Sequence, residues 1–237
     1  MPLNKSVGNM YPWVQATHTA LGGECSHKCS YCYVNVGFMN TPKPKRYCGS
    51  VQVIESEMRE DLYKLGYGIT VFKEHKNDLF AKNVSDDLIN RIIGHCIQFP
   101  KNTYVLQSKN PSRFSEHRKY PEKVIFGTTI ETNRDINESL SVAPPTVERM
   151  RAMCTPNMKD VTKFVTIEPV MDFDIDILAG WIAKINPKFL NLGADSKNHN
   201  LPEPTVDKIY MFADKLKEYG IELREKHNLS RLTSCLQ

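Results

Sequence analysis

Short runs of β-forming residues alternate with longer amphipathic stretches along this 237-residue chain. Seven runs are predicted as strands, at 14–19, 69–73, 103–107, 124–129, 164–168, 189–192 and 221–224. Helices are predicted between them at 53–65, after the Ser85 cap, and at about 174–185 and 205–219. Parallel strands need a helical crossover to return to the same sheet edge, so this alternation predicts an α/β fold with six or seven βα units.

Polar residues follow these strands, at the ends where the loops of α/β barrels build active sites. The groups are the cysteines at 25–32, Asn77/Asp78, Ser108/Lys109, Thr129/Glu131, Glu168, Asp195/Ser196 and Lys226/His227. A solvated strand end would explain any one of them. Their recurrence on successive strands predicts that they converge on one mouth.

Three cysteines, Cys25, Cys29 and Cys32, share one short loop after the first strand. Three thiolates hold three corners of a [4Fe–4S] cluster and leave one iron open to a small molecule. Zinc bound with His27 and unligated thiols are the alternatives, although no second ligand pair lies downstream. Seven cysteines without a signal-peptide pattern argue against a disulfide framework.

The remaining cysteines have simpler predicted roles. Cys96 lies on the apolar face of its helix and is expected in the core. Cys48 and Cys154 are expected as exposed loop thiols.

Composition describes an ordinary water-soluble protein, with 41% hydrophobic and 24% charged residues. The sequence contains no apolar run long enough to span a membrane. A start without a signal-peptide pattern, together with reduced cysteines, predicts a cytoplasmic protein with one domain over residues 1–237. The net charge of +4 is compatible with a phosphate-bearing partner.

The CxxxCxxC loop, with Tyr31 directly before Cys32, is identified as the signature of the radical S-adenosylmethionine (SAM) superfamily. The resemblance implies a [4Fe–4S] cluster on Cys25, Cys29 and Cys32, whose open iron chelates the amino and carboxylate groups of SAM. It also implies reductive cleavage of SAM to a 5′-deoxyadenosyl radical that abstracts hydrogen from a substrate. The implied fold is a full or partial TIM-type (βα)6-7 barrel. The implied electron donor is a flavodoxin or ferredoxin.

A narrower resemblance is carried by the segments 77–80, 106–113, 126–131, 166–169 and 193–196. They resemble a phage-associated radical SAM family of unassigned substrate, distantly similar to spore photoproduct lyase. Two departures stand out. The second strand ends in Glu74-His75-Lys76-Asn77-Asp78 rather than Gly-Gly-Glu, and no cysteine lies near Asp78 as a hydrogen donor.

This resemblance implies a role for several strand-end residues. Tyr31 would lie near the adenine, Asp78 would accept from the SAM amino group, Lys109 would pair with the carboxylate and Thr129 would contact the ribose. Ser108 and Glu131 complete the predicted cofactor side.

Four further residues are predicted on the substrate side: Glu168, Asp195, Ser196 and Lys226. The catalytic candidates are Glu168 and Cys235, the latter as a hydrogen donor.

The leading hypothesis is a radical SAM enzyme acting on a nucleoside, nucleotide or nucleic acid, for modification or repair. Its reaction class (lyase, isomerase or transferase) stays open. A basic rim for phosphate could be formed by Lys43, Lys45, Arg46, Lys109, Arg113, Arg118 and Lys119, although solvated surface charge is the more common explanation of such residues. One alternative is modification of a protein or peptide. Another is an iron–sulfur or zinc module that senses redox state or binds a partner. The sequence does not indicate an oligomeric state.

Overall fold

A computed structural model describes residues 1–35, 42–115, 118–197 and 199–233. Within these ranges ten strands are found: β1 (Asn4–Lys5), β2 (Ala16–His18), β3 (Leu21–Gly22), β4 (Gln52–Val53), β5 (Thr70–Lys73), β6 (Thr103–Ser108), β7 (Val124–Thr129), β8 (Lys163–Ile167), β9 (Phe189–Leu192) and β10 (Leu223–Glu225). Six α-helices accompany them in the same ranges: α1 (Glu55–Met58), α2 (Asp86–Ile97), α3 (Thr146–Met153), α4 (Ile175–Ile185), α5 (Val206–Glu218) and α6 (Ser230–Thr233).

Eight of the described strands form one sheet in the order β1-β2-β5-β6-β7-β8-β9-β10. All neighbours from β2 to β10 are parallel, and only β1 runs antiparallel to β2. The two edge strands, β1 and β10, are not paired with each other, so the sheet curves into a partial barrel and does not close. The predicted α/β fold with parallel strands is therefore confirmed, in its partial form.

The predicted strands and three of the predicted helices agree with the structure to within a few residues. Helix α2 begins after Ser85, whose hydroxyl accepts a 3.4 Å hydrogen bond from the amide of Leu88. Cys96 is buried on this helix, and Cys48 and Cys154 are exposed, as expected. No described helix is long and apolar enough to cross a membrane.

The predicted helix over 53–65 is wrong, because α1 ends at Met58. The carboxylate of Asp61 accepts a 2.8 Å hydrogen bond from the amide of Tyr63 and forms a side-chain turn in place of a helical turn. Gly66 then has a positive φ of 117°, which a helix does not tolerate. The apolar spacing reflects a folded-back loop that buries Leu62 completely. Helix α3, by contrast, was not predicted.

The interior of the barrel is filled at one end by the chain before β2. Tyr11 and Trp13 stack with ring centroids 5.3 Å apart and pack edge-on against Phe164. Phe164 lies two residues before Thr166 on the same face of β8, toward the amino ends of the strands. These aromatic rings close the amino end of the barrel and leave the carboxyl end open.

Candidate functional site

A cavity of about 770 Å³ opens at the carboxyl ends of the strands. Its volume lies within the roughly 300–1,000 Å³ typical of small-molecule sites. The predicted site residues that line it are Cys25, Cys29, Tyr31, Cys32, Asp78, Ser108, Lys109, Thr129, Glu168, Asp195, Ser196 and Lys226. The strand-end residues expected to converge therefore line one cavity, except Glu131 and His227, which do not line it. Glu131 is fully buried behind this wall, and Cys235 lies outside the described residues.

The cysteine loop is held by a tight turn before it and a second loop behind it. Gly23 has a positive φ of 86°, and a Cβ there would lie 2.3 Å from the carbonyl oxygen of Ser50, so only glycine fits. On the other side, the amide of Ser30 donates to the carbonyl of Leu140 at 2.8 Å. Segment 137–142 therefore lies along the cysteine loop and fixes its backbone.

Asp78 joins the cysteine loop to the ends of β5 and β6. One carboxylate oxygen accepts from His27 Nε2 and from the amide of Lys109, both at 2.8 Å. The other accepts from Ser108 Oγ at 2.7 Å and the amide of Phe80 at 2.9 Å. Burial by itself would raise the pKa of Asp78, but the adjacent His27 and these donors hold that pKa below its usual value.

A carboxylate offers about four acceptor sites, and these four hydrogen bonds use them. The expected contact between Asp78 and a ligand ammonium stays a prediction. For that contact to form, the ligand ammonium would have to replace one of the four donors to Asp78.

Lys109 lies at the centre of a buried charge cluster. Its ammonium is 2.6 Å from Glu131, 2.9 Å from the Tyr31 hydroxyl and 3.4 Å from Cys29 Sγ. Glu131 is also paired with Arg149 at 2.8 Å, and both side chains are almost completely buried. Burial opposes charge on each group, yet the Arg149 and Lys109 charges lower the pKa of Glu131, and Glu131 raises the pKa of Lys109. The cluster is therefore ionised, with one more cation than anion.

Thr129 lies beside this cluster and lines the cavity. Its hydroxyl oxygen accepts a 3.1 Å hydrogen bond from Gln107, which in turn accepts from Tyr11 of the aromatic end at 2.9 Å. Thr129 therefore links the floor of the cavity to the filled end of the barrel.

The opposite wall is built from Glu168 and Lys226, which form an ion pair at 2.9 Å. Asn9 and Asn228 donate to Glu168 at 2.8 and 3.1 Å. Gly193 makes room for this arrangement, because a Cβ there would lie 2.9 Å from the Asn228 side chain. The predicted substrate-side pair Glu168 and Lys226 is thus engaged internally.

Asp195 is likewise engaged. Its carboxylate accepts from His199 Nδ1 at 2.6 Å and from the amide of Lys197 at 3.1 Å. Ser196 accepts from Asn228 at 2.9 Å, which connects this loop to the Glu168 wall.

Residues 9–184 match a protein family described as "Protein of unknown function (DUF5131)". The chain belongs to this family. No curated protein matches the chain in sequence.

Solved structures show what the fold is. A spore photoproduct lyase variant matches with a TM-score of 0.60 and 10% identity, covering 94% of this chain and 80% of the lyase. Streptococcus suis SuiB bound to precursor peptide SuiA matches with a TM-score of 0.59 and 9% identity, covering 88% and 48% of the two chains. A radical SAM methyltransferase from Sphaerobacter thermophilus matches with a TM-score of 0.53 and 13% identity, covering 95% and 70%. The chain therefore has the fold of radical SAM proteins.

The donor chemistry of the cysteine loop fits the cofactor that this fold suggests. All three thiols line the cavity, and a lysine ammonium beside Cys29 offsets negative charge there. Burial raises the pKa of the Cys25 thiol to about 12 and also raises that of Cys32, so metal binding there must displace protons.

The three thiols of the cysteine loop do not form a site for a single metal ion. Within the described ranges, no three His, Cys, Asp or Glu side chains are grouped closely enough to hold a metal ion. A [4Fe–4S] cluster does not need such a grouping, because each of the three thiolates binds a different iron. The same absence of a grouped ligand set gives the zinc alternative with His27 no support among the described residues.

Sequence reasoning missed Arg149, Ser141 and Asn9. Arg149 is carried by α3, whose start is indicated in retrospect by Pro144-Pro145 before Thr146. Ser141 Oγ lies 3.1 Å from Cys29 Sγ, although 112 residues separate the two in sequence. No local pattern marks Ser141 or Asn9, since each acts through a distant contact.

Proposed function

We propose that this protein is a radical SAM enzyme that abstracts hydrogen from a substrate containing a nucleoside, as in nucleotide or nucleic-acid modification or repair. The observation that carries the proposal is the cavity itself, which is lined both by Cys25, Cys29 and Cys32 and by polar residues from several strand ends. The likeness to radical SAM structures supports it, since structures of spore photoproduct lyase and SuiB contain bound AdoMet or S-adenosylmethionine.

In this proposal Cys25, Cys29 and Cys32 hold a [4Fe–4S] cluster. When bound, the cluster and SAM supply the 5′-deoxyadenosyl radical, with the electron coming from a flavodoxin or ferredoxin. Asp78 positions the cysteine loop through His27. Lys109 provides a cation for the SAM carboxylate, and Glu131 and Arg149 hold Lys109 at the cavity wall.

The other predicted roles are retained as parts of this proposal. Tyr31 lies near the adenine, and the Lys109 ammonium is 4.4 Å from the centre of the Tyr31 ring. Thr129 contacts the ribose, Ser108 supports the same side, and Glu168, Asp195, Ser196 and Lys226 face the substrate.

A peptide substrate is the second candidate. It is favoured by the likeness to SuiB, whose structure contains a precursor peptide. One of the spore photoproduct lyase structures instead contains bound AdoMet and a dinucleoside spore photoproduct. The substrate must therefore be decided by experiment on this chain.

The test begins with anaerobic reconstitution, followed by assays of iron, sulfide and 5′-deoxyadenosine release from SAM with dithionite. We expect about four irons and four sulfides per chain, since a [4Fe–4S] cluster contains that number. Cys29→Ala should lose both the cluster and SAM cleavage.

Cys154→Ala is the matched control, because Cys154 is an exposed free thiol outside the cavity lining. It should retain both properties. Bound zinc without SAM cleavage would refute the enzyme and support a zinc interaction module. Equal losses in both variants would contradict the assignment of the cluster to the cysteine loop.

A further inference from the structure

The charges around the cavity are unevenly paired. Every carboxylate that lines it has a cationic, imidazole or backbone partner: Glu24 with Lys43, Glu74 with Lys73 and two amides, Asp78 with His27, Glu168 with Lys226, and Asp195 with His199. Among the described residues, four lining lysines have no carboxylate partner: Lys5, Lys28, Lys76 and Lys197. The opening of the cavity therefore carries excess positive charge.

Lys76 and Lys197 are the two of these four lysines that follow strands of the parallel part of the main sheet. Lys76 follows β5 and Lys197 follows β9, and three strands separate β5 from β9 in the sheet. Both side chains nevertheless line one cavity, so they lie on opposite sides of its opening. The pKa of Lys76 is lowered mainly by burial; Cys32 acts in the opposite direction, and the charge of Lys197 lowers it further.

An aromatic ring lies beside this pair. Tyr33 follows the last cysteine of the loop, lines the cavity and remains 43% exposed. The Lys76 ammonium is 4.5 Å from the centre of its ring, and the Tyr33 hydroxyl donates to the carbonyl of His75. Cations next to an exposed ring are the combination that binds the phosphates and bases of single nucleotides.

The basic rim predicted from sequence is wrong in most of its members. Arg46 pairs with Glu57 at 2.8 Å, and Lys109 is engaged by Glu131. Arg113 and Arg118 both pair with Asp86, and neither lines the cavity. These four cations are therefore already paired with carboxylates of the protein.

We propose that Lys76 and Lys197 together bind a phosphate group of the substrate at the mouth of the cavity, with Tyr33 stacking on the adjoining base. The inference rests on the proposed function in taking this cavity as the substrate site. It adds that the substrate is a phosphate-bearing nucleotide or nucleic acid rather than a free nucleoside or a peptide.

The test measures binding to iron-free protein, so its result does not depend on SAM cleavage. The probe is fluorescein-labelled tetrathymidylate, followed by fluorescence anisotropy at several salt concentrations. We expect Lys76→Gln and Lys197→Gln each to raise the Kd about tenfold and to reduce the salt dependence of binding. Tyr33→Leu should weaken tetrathymidylate binding but leave competition by inorganic pyrophosphate unchanged.

Lys123→Gln is the matched control, since Lys123 is exposed directly before β7, at the opposite end of the barrel. It should leave the Kd within about twofold, as expected for a charge more than a Debye length from the probe. Equal weakening by Lys123→Gln, no weakening by the two mouth variants, or no binding by the parent protein would overturn the proposal. If a tetra-aspartate peptide competes as strongly as unlabelled tetrathymidylate, the site binds a peptide carboxylate and the phosphate proposal is wrong. If the reconstituted protein does not cleave SAM but the iron-free protein binds the probe, the proposed enzyme activity is refuted and the phosphate site is not.

Discussion

Glu131→Gln should cost this protein a large part of its stability. Glu131 is fully buried and accepts hydrogen bonds or ion pairs from Tyr31, Lys109 and Arg149. Glutamine has nearly the same shape but no charge, so the substitution leaves Arg149 buried without an anion. Removing one partner of a buried ion pair typically costs about 3–5 kcal/mol, compared with about 1 kcal/mol for a neutral hydrogen bond.

The assays are urea unfolding and thermal unfolding of the iron-free protein, both followed by circular dichroism. The free energy of unfolding should fall by about 3–5 kcal/mol, and the midpoint temperature by roughly 6–20 °C for a chain of this size. Glu138→Gln is the control, because Glu138 is exposed, and it should change stability by less than about 0.5 kcal/mol. A loss below about 1 kcal/mol for Glu131→Gln would refute the buried ion cluster.

The buried charge cluster of Glu131, Lys109 and Arg149 predicts that the stability of the protein depends on pH. Despite burial, Arg149 and Lys109 hold the pKa of Glu131 below its ordinary value of 4.5 in the folded protein. A lowered folded pKa contributes stability that is complete above about pH 4.5 and is lost as the pH falls toward the folded value. The stability difference between the parent protein and Glu131→Gln should therefore shrink below pH 4.5. A difference that stays constant down to pH 3 would contradict this assignment.

Two further predictions concern the interior and the cysteine loop. Gly127→Ala should lower the free energy of unfolding by about 1–3 kcal/mol in thermal unfolding, because its Cβ would lie 2.2 Å from the Phe164 ring. Gly180→Ala is the control and should not destabilise the protein, because a Cβ there meets nothing within 4 Å. Ser141→Ala removes the hydroxyl 3.1 Å from Cys29 Sγ, a hydrogen bond worth about 1 kcal/mol, and should lower the reduction potential of the reconstituted protein by about 20–60 mV. An unchanged potential would place that hydroxyl outside the influence of the sulfur.

The sheet was predictable because its strands are local signals. The runs at 124–129 and 189–192 are bounded by loops, and their β-branched and aromatic residues fit a sheet buried on both faces. The segment 53–65 failed for the opposite reason. Its apolar residues have roughly helical spacing, but the Asp61 turn decides the backbone, and Leu62 is buried by contacts with distant residues.

The site was predictable where chemistry is tied to a strand end. Asp78 and Lys109 follow β5 and β6, and Cys25 follows the short strand β3. The carboxyl ends of parallel strands lie at the same edge of the sheet, so residues that follow them come together. Arg149 and Ser141 reach the same region from α3 and from the loop before it. Only the folded chain reveals their contacts, since neither stands at a strand end and neither has a characteristic spacing.

The pairing of Glu131 with two cations has a consequence for ligand binding. A carboxylate that approaches Lys109 competes with Glu131 for the same ammonium, and on its own that exchange would leave a buried carboxylate without a cation. Arg149, which is 2.8 Å from Glu131, is expected to prevent this by staying paired with Glu131 when Lys109 turns away. Arg149→Met should therefore weaken the binding of a carboxylate ligand at Lys109 by fixing Lys109 to Glu131. Isothermal titration of iron-free protein with SAM measures this effect, and unchanged affinity in a folded Arg149→Met variant would contradict it.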